Sequence, residues 1–263
     1  MRLGPYFAVV ANCFKDQLAY RVNFVMSMIT PFLNLAVMWF VWAAVYASSP
    51  TPTVGGYTFS AMVTYVSVAV VIRSYTWLNT EYKIEQEVKT GSIAASLIKP
   101  LSYPLWQFAG DTGGSATWLL TKLPIVVFAF LFLGISGPAS PLFFISAFLG
   151  YLVNYFMVFL TAMWAFWTTG NVWGLRLSRQ MIAEVVSGAL MPLTLFPAWM
   201  QGVFSFLPFQ AVFYAPLSIY MGIAAGNAVW GVLAVQLAWV GMLFAITYFA
   251  WRVSVKRVIV QGG

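Results

Sequence analysis

Six times between Val22 and Trp251 the chain runs for about twenty residues almost without charge, and this repetition decides the fold class. A helix crossing the hydrocarbon of a bilayer needs about 20 apolar residues. Inside lipid, only helices and closed barrels satisfy their own backbone groups. The runs lie at about 22–47, 57–79, 115–133 (with a start as early as Trp106), 141–167, 181–200 and 228–251. The rest of the chain cannot supply a soluble surface. Only 7% of its 263 residues are charged, against about 25% in a soluble domain. We therefore expect an all-α integral membrane protein with six transmembrane helices, built as one domain over 1–263. Pro31 in the first run, and Pro192 and Pro197 in the fifth, each remove a helical hydrogen bond and are expected to kink their spans.

The charges orient these spans. The connecting segments 48–56, 134–140 and 201–227 contain no charged residue. The opposite set carries Arg2, Lys15 and Arg21 before the first span, then Lys83, Lys89 and Lys99, then Arg176 and Arg179, and finally Arg252, Lys256 and Arg257. By the positive-inside rule both termini face the cytoplasm, as expected for a multi-pass protein of the cell membrane. The net charge of +7 is explained by this loop bias. Nucleic-acid binding, which needs a concentrated basic face, is not expected. Before the first span, Leu3, Phe7, Val10, Phe14 and Leu18 make one apolar stripe opposite Asn12, Lys15 and Asp16. Residues 1–21 thus read as an amphipathic helix lying in the interface, and no cleavable signal peptide is visible.

Much chemistry is excluded. There is no histidine, and Cys13 is the single cysteine. Histidine-based catalysis, histidine metal sites and thiolate clusters are therefore ruled out. The phosphate-cradling pattern Gly-x-x-x-x-Gly-Lys-Ser/Thr is absent. Gly110-Asp-Thr-Gly-Gly114 lacks the lysine and reads as a close-packing start of the third span.

The segment 80–104 is the longest between spans on the charged side. It predicts a helix from Glu81 to Lys89, with Ile84 and Val88 on one face and Glu85 and Lys89 spaced for an i,i+4 pair. Gly91 is placed to stop that helix in a left-handed conformation. Ser92 can cap a second short helix, which Pro100 ends. Glu81, Glu85, Glu87 and Lys89 are expected to present charge to a partner. Ile84 and Val88 would pack on the chain's own helices or on that partner. A second segment, 201–227, is apolar (Phe204, Phe206, Leu207, Phe209) yet interrupted by Pro208 and Pro216. Broken backbone at membrane depth is tolerated where it is buried in protein or lines a cavity. Near or within spans, Arg73 and Lys122 can snorkel to headgroups or pair with Glu184, and Asp111 is expected at a helix start, where a carboxylate is favoured.

The acidic helix followed by Gly91-Ser-Ile, Leu97 and Lys99-Pro-Leu-Ser-Tyr-Pro104 resembles membrane subunits of ABC-2-type transporters. Ser187-Gly-Ala-Leu-Met-Pro-Leu-Thr-Leu-Phe-Pro197 is similar too, as are Leu207-Pro-Phe-Gln210, Tyr214-Ala-Pro216 and Ile219-Tyr-Met-Gly222. The resemblance is closest to the six-span permease family that pairs with a separate ATP-binding subunit. It implies half of a translocation pathway, in an exporter of two permeases and two ATPases, with the second permease a different homologous chain. ATP and Mg would be bound by the partner ATPase, leaving this chain without cofactors and without catalysis of its own. The resemblance makes 80–104 a coupling loop on the ATPase, with Glu81, Ile84, Glu85, Glu87, Val88, Lys89 and Gly91 as coupling residues. Arg176 and Arg179 in 169–180 would add a smaller contact. It makes 201–227 a short re-entrant or external element near the outer exit, with Pro192, Phe196, Pro197, Phe206, Pro208 and Phe209 as exit candidates. The other classes are an ion- or proton-coupled secondary transporter, a non-transporting scaffold subunit and a membrane enzyme. The two halves share no obvious motif, against inverted repeats, and six carboxylates without histidine leave few catalytic groups.

Overall fold

The computed structural model describes residues 4–19, 21–168 and 171–257. The chain opens with α1 (Gly4–Ala19) and α2 (Arg21–Ser48), the latter helical straight through Pro31. A two-residue hairpin follows, β1 (Thr53–Val54) on β2 (Tyr57–Thr58). Gly55 and Gly56 turn it at φ 59° and 86°, values that a right-twisted two-residue turn requires and glycine alone adopts freely. Thr58 then caps α3 (Phe59–Thr76) by accepting from the Ala61 amide. α4 (Thr80–Lys89) and α5 (Ile93–Leu97) make the predicted pair of short helices. After them come α6 (Tyr103–Thr121), α7 (Leu123–Phe132), α8 (Leu142–Met163), α9 (Trp173–Val186), α10 (Ala198–Ser205), α11 (Tyr214–Tyr220) and α12 (Ala228–Ser254).

Five helical stretches among the described residues are long and apolar enough to cross a membrane: Val25–Ser48, Phe59–Lys89, Tyr103–Phe132, Leu142–Phe166 and Ala228–Arg257. A sixth is present if Ala198–Ser205 and Pro208–Tyr220, bent by 79°, are counted together. The all-α multi-pass class is therefore met, with two corrections. The expected fifth span, 181–200, is not one helix. α9 stops at Val186, Gly188 takes φ 82°, and the chain continues through a 3-10 turn at Leu193–Leu195 between Pro192 and Pro197. Two prolines within six residues deny the helix its donors, so the segment climbs in extended and 3-10 geometry. The third helical stretch starts at Tyr103, close to the earlier expected start at Trp106, and breaks at Lys122. The Lys122 ammonium, buried there, donates to the Ser27 carbonyl of α2. Asp111 therefore lies in the middle of α6, not at a helix start.

The two largest apolar clusters of the interior are stacked along α8. One sits toward the hairpin end and is built on Met62, Tyr65, Ile72, Val153 and Leu217. The other sits at the charged end and is built on Ile84, Tyr103, Tyr155, Phe159 and Met163. Where they meet, the Asn154 amide donates to the Thr76 carbonyl at 2.7 Å and closes the end of α3. Outward faces of α2 and α12 expose Leu33, Phe40, Phe244 and Phe249, as helices facing lipid do.

The segment between α9 and α12 carries two helical pieces bent by 79° to one another, Ala198–Ser205 and Pro208–Tyr220. Its turning point, Pro208–Ala211, lies between α8 and α12. Gln236 of α12, fully buried, donates to the Ala211 carbonyl at 2.7 Å and to the Ser146 carbonyl at 3.0 Å. Its carbonyl accepts from the Ser146 hydroxyl at 2.8 Å. One glutamine thereby ties two long helices to that turn and satisfies backbone that the bend leaves open. Gly150 of α8 permits the approach, because a Cβ there would lie 2.9 Å from the Ala211 carbonyl oxygen and 3.0 Å from that of Val212.

α1 packs on α6 through Tyr6 and Val9 against Ala109, and the Tyr6 hydroxyl accepts from the Ser102 amide at 3.0 Å. Phe7 of the expected stripe is exposed, while Leu3 and the side chains of Phe14 and Leu18 lie outside the described residues.

Candidate functional site

α4 forms because Ile84 and Val88 give it one apolar stripe, and that stripe turns inward. Ile84 is fully buried and Val88 packs beside it in the charged-end cluster. The open alternative is thereby decided: both residues pack on the chain's own helices. Of the four residues expected to present charge to a partner, Glu81 and Glu85 follow the stripe inward, Glu87 is half-buried and Lys89 stays exposed. Glu81 is 1% exposed, and Arg179 of α9 grips it with two hydrogen bonds of 2.8 and 3.1 Å. Glu85 is buried and holds Lys89 at 2.5 Å, the pair its spacing predicted. Glu87 accepts from the Tyr103 hydroxyl at 2.7 Å, and the Tyr103 ring stacks on Trp251 of α12.

Asp111 completes the ring. Buried in α6, it accepts from the Thr80 hydroxyl and from Lys83 at 3.1 Å. Deeper along the same wall, Arg73 of α3 reaches Glu184 of α9 at 2.6 Å. Five of the six acidic residues, all except Asp16, whose side chain lies outside the described residues, are thus engaged by their own chain. Sequence reasoning found Glu85–Lys89 from local spacing and placed Glu184 within reach of Arg73. It missed Asp111, Thr80 and Tyr103, whose partners lie 16 to 31 positions away. No short-range signal marks such pairs.

The exposed surface of the element is its far tip. Gly91 has φ 71°, so α4 ends in the left-handed turn expected of it. Ser92 occupies the position before α5 but makes no capping bond, its hydroxyl pairing with Thr90 instead. Ile98 is 84% exposed, beside Lys99, whose ammonium sits over the Trp106 ring. A Cβ at Gly91 would meet nothing within 4 Å, so a substituent there acts through backbone strain alone. We expect Gly91→Val to cost about 2 kcal/mol locally. Amide exchange over 93–97 should then rise at least about tenfold while exchange in α8 stays unchanged. Unchanged exchange in both would show that the turn carries no strain.

Behind the tip, α3, α4, α8 and α9 line a half-open cavity of about 480 Å3 with charged groups in its wall. Arg73, Arg176 and Arg179 all line it, with Glu81 and Glu184. Arg176, expected beside Arg179 on one surface, turns toward this cavity, while Arg179 is committed to Glu81. Residues 169 and 170 of that loop lie outside the described residues.

The exit candidates gather on the hairpin side. Phe196 and Phe204 meet edge to face at 5.2 Å, and Phe209 packs partly buried beside them. Pro192 and Pro197 flank the 3-10 turn, and Pro208 opens a second one, Pro208–Ala211. Phe206 stands apart and is exposed.

A family model described as ABC-2 family transporter protein matches residues 32–262. No curated protein matches the chain.

Proposed function

We propose, from the premise that this chain belongs to the ABC-2 transporter family, that it is the membrane half of an exporter driven by a separate ATPase. The family makes it a multi-pass permease that works with an ATP-binding subunit. The finer reading places the charged end and both termini in the cytoplasm. Two ATPase chains, carrying the ATP and Mg, serve two permeases, the second a different homologue. Closure of the ATPases rocks the two halves between inward- and outward-facing states. Phe196, Phe209 and the prolines around them sit where cargo would leave.

The observation that carries the coupling role is the inverted charge of α4. Its acids are bound by Tyr103 of α6, by Arg179 of α9 and by its own Lys89, while the apolar tip at Ile98 projects free. The α4–α5 pair is therefore welded to the permease and offers the ATPase Ile98, with Lys99 at its edge. A single large side chain seated in a partner's groove commonly dominates an interface.

We expect Ile98→Asp to insert and express normally but to lower both ATPase co-purification and ATPase stimulation at least about tenfold. Lys99→Ala, at the rim, should change them less than threefold. Full stimulation by the Ile98→Asp protein would remove the tip from the coupling path.

A further inference from the structure

We propose that the cavity between α3, α4, α8 and α9 binds the phosphate-bearing headgroup of an amphiphile that enters from the surrounding lipid, with Arg176 as its principal contact. This rests on the permease reading above and names the class of cargo or lipid that the permease would accept.

Three guanidiniums line the cavity against two carboxylates. Two of the three are spoken for, Arg179 by Glu81 and Arg73 by Glu184. Arg176 has no carboxylate partner among the described residues, so the cavity carries one surplus positive charge. Arg73 and Glu184 meet at 2.6 Å and offset one another's charge. Guanidinium forks match phosphate geometry, and among the described residues Arg176 is the one left to offer its fork to a ligand. At about 480 Å3 the space falls within the range of ligand sites.

The tail has a place as well. α9 is a thin wall: away from this cavity it exposes Leu175, Met181 and Ile182, the first and last lining an apolar groove against α8 and α12. Trp77 and Trp173, both more than half exposed, stand among the cavity's lining residues. Tryptophan favours the boundary between headgroups and acyl chains. A headgroup can thus sit on Arg176 while its chains stay against the outside of α9. A soluble polar solute would have no use for that apolar margin. Basic pockets between helices at the cytoplasmic face are suited to phosphorylated headgroups.

The test is equilibrium binding of dioctanoyl phosphatidylglycerol to the intact chain in a neutral detergent. Dioctanoylglycerol and inorganic phosphate serve as separate probes. We expect saturable binding of the phospholipid, weakened about tenfold by Arg176→Gln and less by Arg176→Lys, which keeps the charge but loses the fork. The exposed-surface control Lys256→Gln should leave it unchanged. Dioctanoylglycerol should not compete. Competition by dioctanoylglycerol as strong as by the phospholipid, or an equal loss in Lys256→Gln, would overturn the site. Inorganic phosphate competing at the concentration of the lipid would assign the cavity to a free anion and overturn the amphiphile. Should Arg176→Gln fail to fold, Arg176→Lys read against Lys256→Gln decides the same point. No ATPase is present, so failure here leaves the Ile98→Asp result standing, and the reverse.

Discussion

Arg179→Ala is expected to destabilise the protein by about 3 kcal/mol, which is the low end of what breaking a buried pair costs. The loss follows from what the variant leaves behind. Glu81 is 2% exposed at its side chain, and Arg179 supplies the two hydrogen bonds that compensate its charge. Without the guanidinium, a carboxylate stays under α9 with nothing to neutralise it. Arg179 itself keeps 17% of its surface, which admits some water and sets the estimate low. The same variant frees α9, whose only buried residue is Val186. Unfolding of the purified protein in mild detergent, with amide exchange along 173–186, measures both effects. The double change Glu81→Leu with Arg179→Met should recover most of the stability, because it removes the charge together with its partner. An Arg179→Ala protein that unfolds with the parent would show that water already satisfies Glu81.

Gly150→Leu is expected to be nearly as damaging, through shape instead of charge. The site where its Cβ must go lies 2.9 and 3.0 Å from the backbone carbonyl oxygens of Ala211 and Val212 in the turn before α11. Backbone cannot rotate aside as a side chain does. Relief requires the turn to leave α8, and the Gln236 bond to Ala211 then lengthens or breaks. Overpacking of this kind costs about 1–3 kcal/mol, with the loss of a buried hydrogen bond added. We expect a stability loss of about 3 kcal/mol, with exchange rising over 208–220 before it rises in α3. Gly150→Ala should show about half the effect. A Gly150→Leu protein of normal stability would mean that the turn is held away from α8 by more than that contact.

The membrane class, five of the spans and the two-helix charged element could be read from the sequence, because each rests on neighbours within one or two turns. Apolar runs mark the spans. Ile84 with Val88, Glu85 with Lys89 and the position of Gly91 mark α4 and its stop. The fifth span misled for a physical reason. Residues 181–200 have the composition of a span, but Gly188, Pro192 and Pro197 act on the backbone, which hydropathy does not register. The direction of the α4 acids was illegible for another reason. Burial of Glu81, Glu85 and Asp111 depends on Arg179, Lys89 and Lys83 arriving to meet them, and two of those three meetings are set by tertiary packing alone. Glutamates on a short polar helix read as a solvated face unless the cations that claim them are already in place.

The charge ring has a mechanical meaning. α4 is bolted to α6 at Asp111, to α9 at Arg179 and to the base of α6 and α12 through Tyr103. A load applied at Ile98 therefore has little to bend. It passes into three helices at once, and the charged end must move as a block. The chain turns at a glycine of positive φ on each side of this block, Gly91 before α5 and Gly188 after α9. Gly188 is itself clamped, its carbonyl accepting from the Tyr65 hydroxyl at 2.6 Å. Under the proposed coupling, a push that reaches α4 would therefore travel past α9 into α3 and the proline-lined segment as one rigid path.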